Sequence, residues 1–226
     1  MATRGKDAAK HARHLVEPPE EFLEQKLALF DTPVREFNEL PAVLICALDK
    51  AVEITPQAAK PKIIDVVSHT RKLNPGSLDE LKELAGVPNR AFTEAPERGP
   101  LAPERAPVLH TLERRSLTRL PERITLSRLR AEDKATFWQA SHNILRGPAD
   151  ERMLERSGYK QIADAMLRVA KNIPAFLARN LIVCDGDVVT FSGYGALYFN
   201  NVLVYGSGRI QLANNTTLHA YQVKHV

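Results

Sequence analysis

Short apolar runs separated by turn residues characterise the end of the chain, from Asn180 to Val226. Residues 181–184 and 188–191 are β-branched or aromatic runs of strand length, and Asp185-Gly186 between them predicts a tight hairpin turn. Later runs are separated by Gly-Tyr-Gly, Gly-Ser-Gly and Asn-Asn, which are typical of turns between strands. We therefore predict a small all-β module over residues 180–226.

Turn residues recur at a constant spacing within this module, at positions 186, 200 and 214, and each pair precedes an apolar or β-branched run. A fixed period with Asn or Gly at the corners predicts a short β-solenoid, in which Asn side chains can stack. An antiparallel meander or sandwich explains the same pattern equally well. The sequence leaves both arrangements open.

Helical periodicity characterises residues 20–86. A first helix follows Glu20, a second begins at Pro41, and a third spans about 57–73. Ser77 followed by Glu80 is a capping box that predicts a fourth helix. The four segments together predict a helical N-terminal domain.

Prolines dominate the next stretch, and they predict an extended linker over residues 87–110. The same stretch could serve as a docking or cleavage site.

Helices are predicted again after residue 130. The first covers residues 131–146, where acidic residues come first and Arg146 comes last, and two shorter helices follow before Pro174.

The predicted fold class is therefore α+β: a helical N-terminal domain, a proline-rich linker, and helices packed on a small C-terminal all-β module. The predicted domains are a flexible basic arm at 1–19, the helical domain at 20–86, the linker at 87–110, and a last domain at 111–226 that contains the β-module at 180–226.

Composition limits the class of protein. With 226 residues and 44% hydrophobic content, the chain can bury one good core or two modest ones. Its first residues carry charges where a signal peptide needs an apolar core, and no run is long enough to span a membrane. We expect a cytoplasmic protein without membrane contacts, in which Cys46 and Cys184 are reduced, structural thiols.

The net charge of +4 resides in the leader and the middle of the chain. The β-module is nearly neutral, with Arg209 and Lys224 against Asp185 and Asp187, so it lacks the cations that phosphate binding requires. We expect it to bind protein, glycan or another copy of itself. Residues 111–130 are rich in arginine, which suits contacts with carboxylate or phosphate, although nearby glutamates allow a solvated, internally paired face instead.

The sequence contains few residues in arrangements that are typical of catalytic sites. Asp185 and Asp187 could be paired carboxylates, but both flank a tight turn that already explains them. His219 and His225 would lie about 20 Å apart on one strand, too far to share a metal. No phosphate loop, nucleophile motif or zinc motif occurs, so we predict no catalytic residue, no metal site and no cofactor. The candidate binding residues are Arg114, Arg115, Arg119, Arg123, Tyr198, Tyr205, His219 and Tyr221.

These observations favour a non-enzymatic protein-interaction or assembly protein whose β-module mediates self-association or partner binding. One alternative is an enzyme that acts on a glycan or protein. Another is a nucleic-acid-binding regulator that uses the basic leader and the arginine-rich segment. The expected partner is another protein or a second copy of the chain; nucleic acid is possible but not favoured.

Overall fold

A computed structural model describes residues 13–46, 51–56, 66–92, 130–149, 152, 154–155, 159–213 and 216–226. The chain divides into two compact units. Residues 1–73 and 173–226 form one, here called the α/β unit, and residues 74–172 form the other, here called the helical unit.

The α/β unit contains short helices near the N-terminus and strands from both ends of the chain. Its helices are α1 (Glu20–Ala28), α2 (Val34–Glu39) and α3 (Val66–His69). Its strands are β1 (Val43–Ile45), β2 (Val52–Ile54), β3 (Thr70–Leu73), β4 (Ile173–Val183), β5 (Val188–Phe191), β6 (Ala196–Val204), β7 (Arg209–Leu212) and β8 (Thr217–His225).

The strands form two sheets that are almost entirely parallel. The larger sheet has the order β1-β4-β6-β8, with β3 antiparallel to β4, and the smaller sheet has the order β2-β5-β7. Ala175 pairs with Ala196 and Ala196 with Thr217, so the chain returns to the same place in the larger sheet at a constant interval. We call each passage through the two sheets a coil: β1 and β2 form the first, β4 and β5 the second, β6 and β7 the third, and β8 begins the fourth.

The main core lies between the two sheets. The rings of Phe176, Phe191 and Phe199 meet there with centroids 5.4–6.0 Å apart. Aromatic and branched side chains fit such parallel strands because both faces of the strands are covered. The strands of the second and third coils are accordingly buried along most of their length.

The alternation of inward and outward side chains shifts once along each long strand. In β4 both Ala178 and Leu181 belong to the core cluster, and in β6 both Phe199 and Val202 do. Strict alternation would place only one member of each pair inward. The two residues in between therefore form a corner, and this corner places Asn180 and Asn201 next to each other in register.

The N-terminal helices cover the opposite face of the larger sheet. Phe30 follows α1 and Phe37 lies in α2; their rings lie 5.5 and 5.3 Å from the ring of Tyr198, and all three residues are fully buried. Apolar residues that were predicted to form the core of a helical domain therefore cover a sheet instead.

Cys46 and Cys184 are joined by a disulfide between the ends of β1 and β4, with their Cα atoms 4.9 Å apart. The register pairs Ile45 with Val183, so the two cysteines follow adjacent parallel strands. The expectation of reduced thiols is therefore wrong, because sequence alone could not show that residues 138 positions apart lie side by side.

The helical unit consists of α4 (Leu78–Leu84), a 3₁₀ helix (Asn89–Phe92), α5 (Ala131–Arg146) and α6 (Lys160–Val169). Phe137, Ile144 and Ile162 lie in its core and are fully buried. The Ser77 hydroxyl accepts a hydrogen bond from the Glu80 N–H, as the capping box predicts, and the Glu80 carboxylate accepts one from the Gly76 N–H. Here local sequence signals correctly located the start of a helix.

The predicted fold class is wrong. There is no helical N-terminal domain over an all-β module: the described residues form an α/β arrangement with parallel strands in two sheets. The apolar run after Pro41, predicted to be a helix, forms β1, and the run predicted to end a third helix forms β3. Short apolar runs do not distinguish a buried strand from a buried helix, and here pairing with β4 decides the outcome.

The predicted hairpin at Asp185-Gly186 is also wrong. Gly186 does adopt the positive φ of 80° that the turn requires, but β4 and β5 enter different sheets and do not pair with each other.

The interval between repeats also differs from the prediction. Equivalent strand positions recur at 175, 196 and 217, which is a longer interval than the spacing of the turn residues. The pairing between repeats is parallel, which excludes an antiparallel meander. Pro174, predicted to end a helix, lies inside β4.

Other predictions fall largely outside the described residues. Residues 1–12 of the predicted arm and 93–110 of the predicted linker are among them, as is the arginine-rich stretch up to residue 129. The predicted domain boundaries stay predictions.

Candidate functional site

The strands β7 and β8 lie at one end of the stack of coils, here called the open end. In the larger sheet β8 pairs with β6 through one edge, and in the smaller sheet β7 pairs with β5. Within the described part of the chain, no strand pairs with the other edge of either. The main-chain N–H and C=O groups along these edges can therefore pair with another strand.

Exposed apolar side chains concentrate at the open end. The structure has seven large hydrophobic residues with exposed side chains among those described, and four of them lie between residues 212 and 226. Val223 is the most exposed, at 64%. The four are Leu212, Tyr221, Val223 and Val226.

The turns next to the open end are held by side chains from neighbouring coils. The Asp185 carboxylate accepts hydrogen bonds from the N–H (2.7 Å) and the hydroxyl (2.8 Å) of Ser207. These bonds hold the pKa of Asp185 below its usual value. Gly206 has a φ of 52°, and a Cβ at this position would collide with the same carboxylate, so a larger residue does not fit there without movement of Asp185. Asp185 thus has a structural role in the turn.

A row of side-chain amides runs across the corners of three coils. Asn180 is in register with Asn201, and Asn201 with Gln222; we call these three residues the amide row. Within the row, the Asn201 amide N–H donates to the Asn180 side-chain oxygen at 2.8 Å. Asn180 and Asn201 are buried, and the N-terminal segment contacts the row at Asn201 and Gln222.

The N-terminal segment His14–Glu17 lies along the amide row and contacts three successive coils. The Val16 N–H donates to the Asn201 side-chain oxygen, and the Asn201 amide N–H donates to the Val16 carbonyl, both at 3.0 Å. Gln222 donates to the His14 carbonyl at 3.5 Å, and Glu17 lies 3.8 Å from Arg179. The segment therefore runs across the coils, from the fourth towards the second, rather than along a strand.

Tyr198, a predicted binding residue, is fully buried beneath Phe30 and Phe37. Its hydroxyl donates to the Asn200 side-chain oxygen at 3.3 Å. Burial raises the pKa of Tyr198 above its ordinary value, so the phenol stays neutral. In the described structure the Tyr198 ring therefore packs against Phe30 and Phe37 and is not exposed to solvent.

The remaining predicted binding residues of the β-module lie nearer the open end. His219 is the register partner of Tyr198 and meets the ring of Phe30 at 5.7 Å, and Tyr221 on the same strand meets Phe22 at 5.0 Å. Tyr205 follows β6, and its ring centroid lies 6.3 Å from that of His14. The structure therefore brings His219 and Tyr221 together on β8. Arg114, Arg115, Arg119 and Arg123 lie outside the described residues, and the binding role of all eight residues stays a prediction.

Sequence reasoning missed the amide row and its contact with residues 14–17. A signal was present, because the side-chain amides of Asn180, Asn201 and Gln222 recur at the same interval as the strands. The shorter spacing of the turn residues obscured it. Nothing in the sequence pointed to Val16, since its contact lies 185 positions away.

The helical unit has a cavity of about 390 Å³ with residues of both charges in its wall. Asn89 bridges it by donating to Asp79 at 2.6 Å and to the Ala149 carbonyl at 3.1 Å. Nearby, Lys82 is fully buried and donates to the carbonyls of Ile144 and Gly147 at the end of α5. Burial lowers the pKa of Lys82 to about 8, against a smaller opposing effect of Asp79. Since Lys82 is engaged with the end of a helix, its role here is structural.

The described residues contain no group of three or more His, Cys, Asp or Glu side chains placed to hold a metal ion. None of the described helices has both the length and the apolar character needed to cross a membrane.

No family model matches the sequence, and comparisons with curated proteins and with solved structures find no match.

Proposed function

We propose that this protein is a non-enzymatic assembly protein that associates with a second copy of itself through the open end of the α/β unit. The observation that carries this proposal is the outer edge of β8, a nine-residue strand flanked by exposed apolar side chains, to which no strand of the described residues pairs. The proposal retains the interaction role that the sequence predicts.

Free strand edges tend to pair with other strands unless charge, proline or a covering element prevents it. β8 has the sequence TLHAYQVKH, with one lysine and no proline. Its outer edge therefore has little protection against pairing. Addition of a strand to such an edge is a common mode of protein association, since the main-chain hydrogen bonds supply affinity.

A second copy suits this edge geometrically. A two-fold axis in the plane of the last coil, perpendicular to its strands, pairs β8 with β8 of the partner in antiparallel fashion. Since β8 belongs to the fourth coil and β7 to the third, the larger sheet is the one that continues across the interface. Such a self-complementary contact closes on itself and gives a dimer rather than a filament.

The charges of the open end permit this contact. In the register centred on Tyr221, Lys224 faces Leu218 of the other copy, so the two lysines do not face each other. Pairing of the two copies also covers exposed apolar surface beside this edge, including that of Val223. Covering such surface contributes about 25 cal/mol per Å² of apolar area removed from water.

The test is sedimentation velocity on the full chain over a wide range of protein concentration. We expect a dimer, and we expect Val223→Lys to raise its dissociation constant at least about tenfold, because the new charge lies beside Lys224. Val169→Lys is the matched control: Val169 is also exposed, at 39%, but it ends α6 in the helical unit. A wild-type monomer at every concentration, or a Val223→Lys variant that associates as wild type does, would disprove the proposal.

The proposal keeps the predicted cytoplasmic location. The Cys46–Cys184 disulfide argues against it, because cytosolic thiols are kept reduced. Thiol trapping in intact cells tests the location: protein in the cytosolic fraction with both cysteines trapped as thiols supports it. A quantitative yield of disulfide-bonded protein outside that fraction would contradict it.

A further inference from the structure

We propose that the amide row is a binding site for an extended peptide and that residues His14–Glu17 occupy it as an exchangeable internal ligand. This site differs from the open end, because it uses side-chain amides rather than the edge of a strand. The inference therefore stands independently of self-association.

The contact between Asn201 and Val16 carries the inference. A side-chain amide presents one acceptor and one donor group, and these match the N–H and C=O of a single extended residue. Both bonds are made, at 3.0 Å each. The Val16 side chain is 45% exposed, so recognition at this position depends on the main chain rather than on the side chain.

The contacts on either side extend the site to three coils. Gln222 of the fourth coil donates to the His14 carbonyl, and Arg179 of the second coil lies beside Glu17. Two extended residues span about 6.6 Å and neighbouring strands are about 4.8 Å apart, so an oblique extended chain can reach one amide per coil. A peptide that follows the same path needs an extended main chain and gains from an acid at the position of Glu17.

The internal segment leaves part of the row unused. The side-chain oxygen of Gln222 is shielded from solvent and accepts no hydrogen bond from the described residues. At Asn201 the equivalent oxygen accepts a main-chain N–H. A buried acceptor without a donor is unfavourable, so a peptide that supplies an N–H to Gln222 would bind better than the internal segment does.

The ion pair at one end of the internal segment adds little to its binding. It joins two exposed side chains, 79% exposed at Glu17 and 40% at Arg179. Exposed pairs of this kind contribute little. A competing peptide can therefore displace the segment when the peptide is present in excess.

The test uses the full chain and a labelled peptide that covers residues 13–19, with binding followed by fluorescence anisotropy. Val16→Pro in the protein removes the N–H that donates to Asn201 and so releases the internal segment. Val16→Ala is the matched control, because it keeps that N–H and removes only a half-exposed side chain. We expect the proline variant to bind the peptide at least about fivefold more tightly than wild type or the alanine variant.

A second arm leaves the protein unchanged and alters only the peptide. Methylation of the Val16 amide nitrogen in the peptide removes the same donor, and we expect it to weaken binding to the proline variant about tenfold. Equal binding of both peptides would overturn the proposal, as would equal binding of the peptide by the proline and alanine variants. Failure of the proline variant to bind the peptide would overturn it as well.

Discussion

Two strands of equal length in the same sheet differ sharply in their surroundings. β6 and β8 each contain nine residues and are in register, with Ala196 opposite Thr217 and Val204 opposite His225. β6 is buried from its first residue to its eighth, whereas β8 has no buried residue. β6 has a paired strand on each side, and β8 has one on a single side within the described structure.

The sequences of the two strands follow this difference. Tyr198 corresponds to His219, and Leu203 corresponds to Lys224, so polar groups replace apolar ones at matching positions. Leu197 and Leu218 correspond as well and are unchanged in type, because both point into the core. The comparison shows that the core-facing pattern continues into the last coil, while the burial that stabilises it does not.

The opposite end of the stack differs again, because a disulfide fastens the first coil to the second. We predict that the double variant Cys46→Ser, Cys184→Ser unfolds with a free energy about 4 kcal/mol lower than wild type, since the disulfide restricts a long loop in the unfolded chain. Guanidinium unfolding monitored by circular dichroism measures this loss. A reductant should lower wild type to the level of the variant and leave the variant unchanged; no effect of the reductant on wild type would contradict the prediction.

Leucine-to-alanine changes at matching positions test the comparison between β6 and β8 directly. Leu197 is fully buried, so Leu197→Ala should lower the free energy of unfolding by about 3 kcal/mol. Leu218 packs against the core but is only partly buried, so Leu218→Ala should cost about 1 kcal/mol. Urea unfolding at low protein concentration measures both. Equal losses would contradict the difference in burial between the two strands.

The smallest expected effect concerns Asp185, whose register position in the next coil is occupied by Gly206. Hydrogen bonds from Ser207 lower the pKa of Asp185, so its carboxylate stabilises the fold above the unfolded value of about 3.9. This contribution should disappear as the pH falls through the lowered pKa. The free energies of unfolding of wild type and Asp185→Asn, compared from about pH 6 to pH 2, should converge at the acidic end. A difference that is constant with pH would contradict the prediction.

Part of the fold could be predicted from local sequence. The capping residue Ser77 and the helix of residues 131–146 were identified correctly, because both signals act between residues close together in the chain. The helical domain was predicted wrongly, because the run at β1 is short and apolar and acquires its conformation from β4. The same limit applies to β3, which pairs with a strand far along the chain, Thr70 with Phe176.

The candidate site was less predictable than the fold. Tyr198 was predicted to be a binding residue, yet it lies buried beneath Phe30 and Phe37. The contact of Val16 with Asn201 depends on main-chain atoms, which every residue possesses, so no residue type could mark it in advance. Only the three evenly spaced amides of the amide row left a trace in the sequence.

The sequence by itself determined that strands and turns fill the end of the chain and that Gly186 bends it, because turn formation depends on the conformational freedom of one or two residues. It did not determine where the chain goes after the bend. The tertiary structure decided that β5 enters a second sheet, that β1 joins the first, and that the N-terminal segment crosses three coils. Parallel pairing requires a long connection between partners, so the residues that specify it lie far apart in the sequence and leave no local pattern.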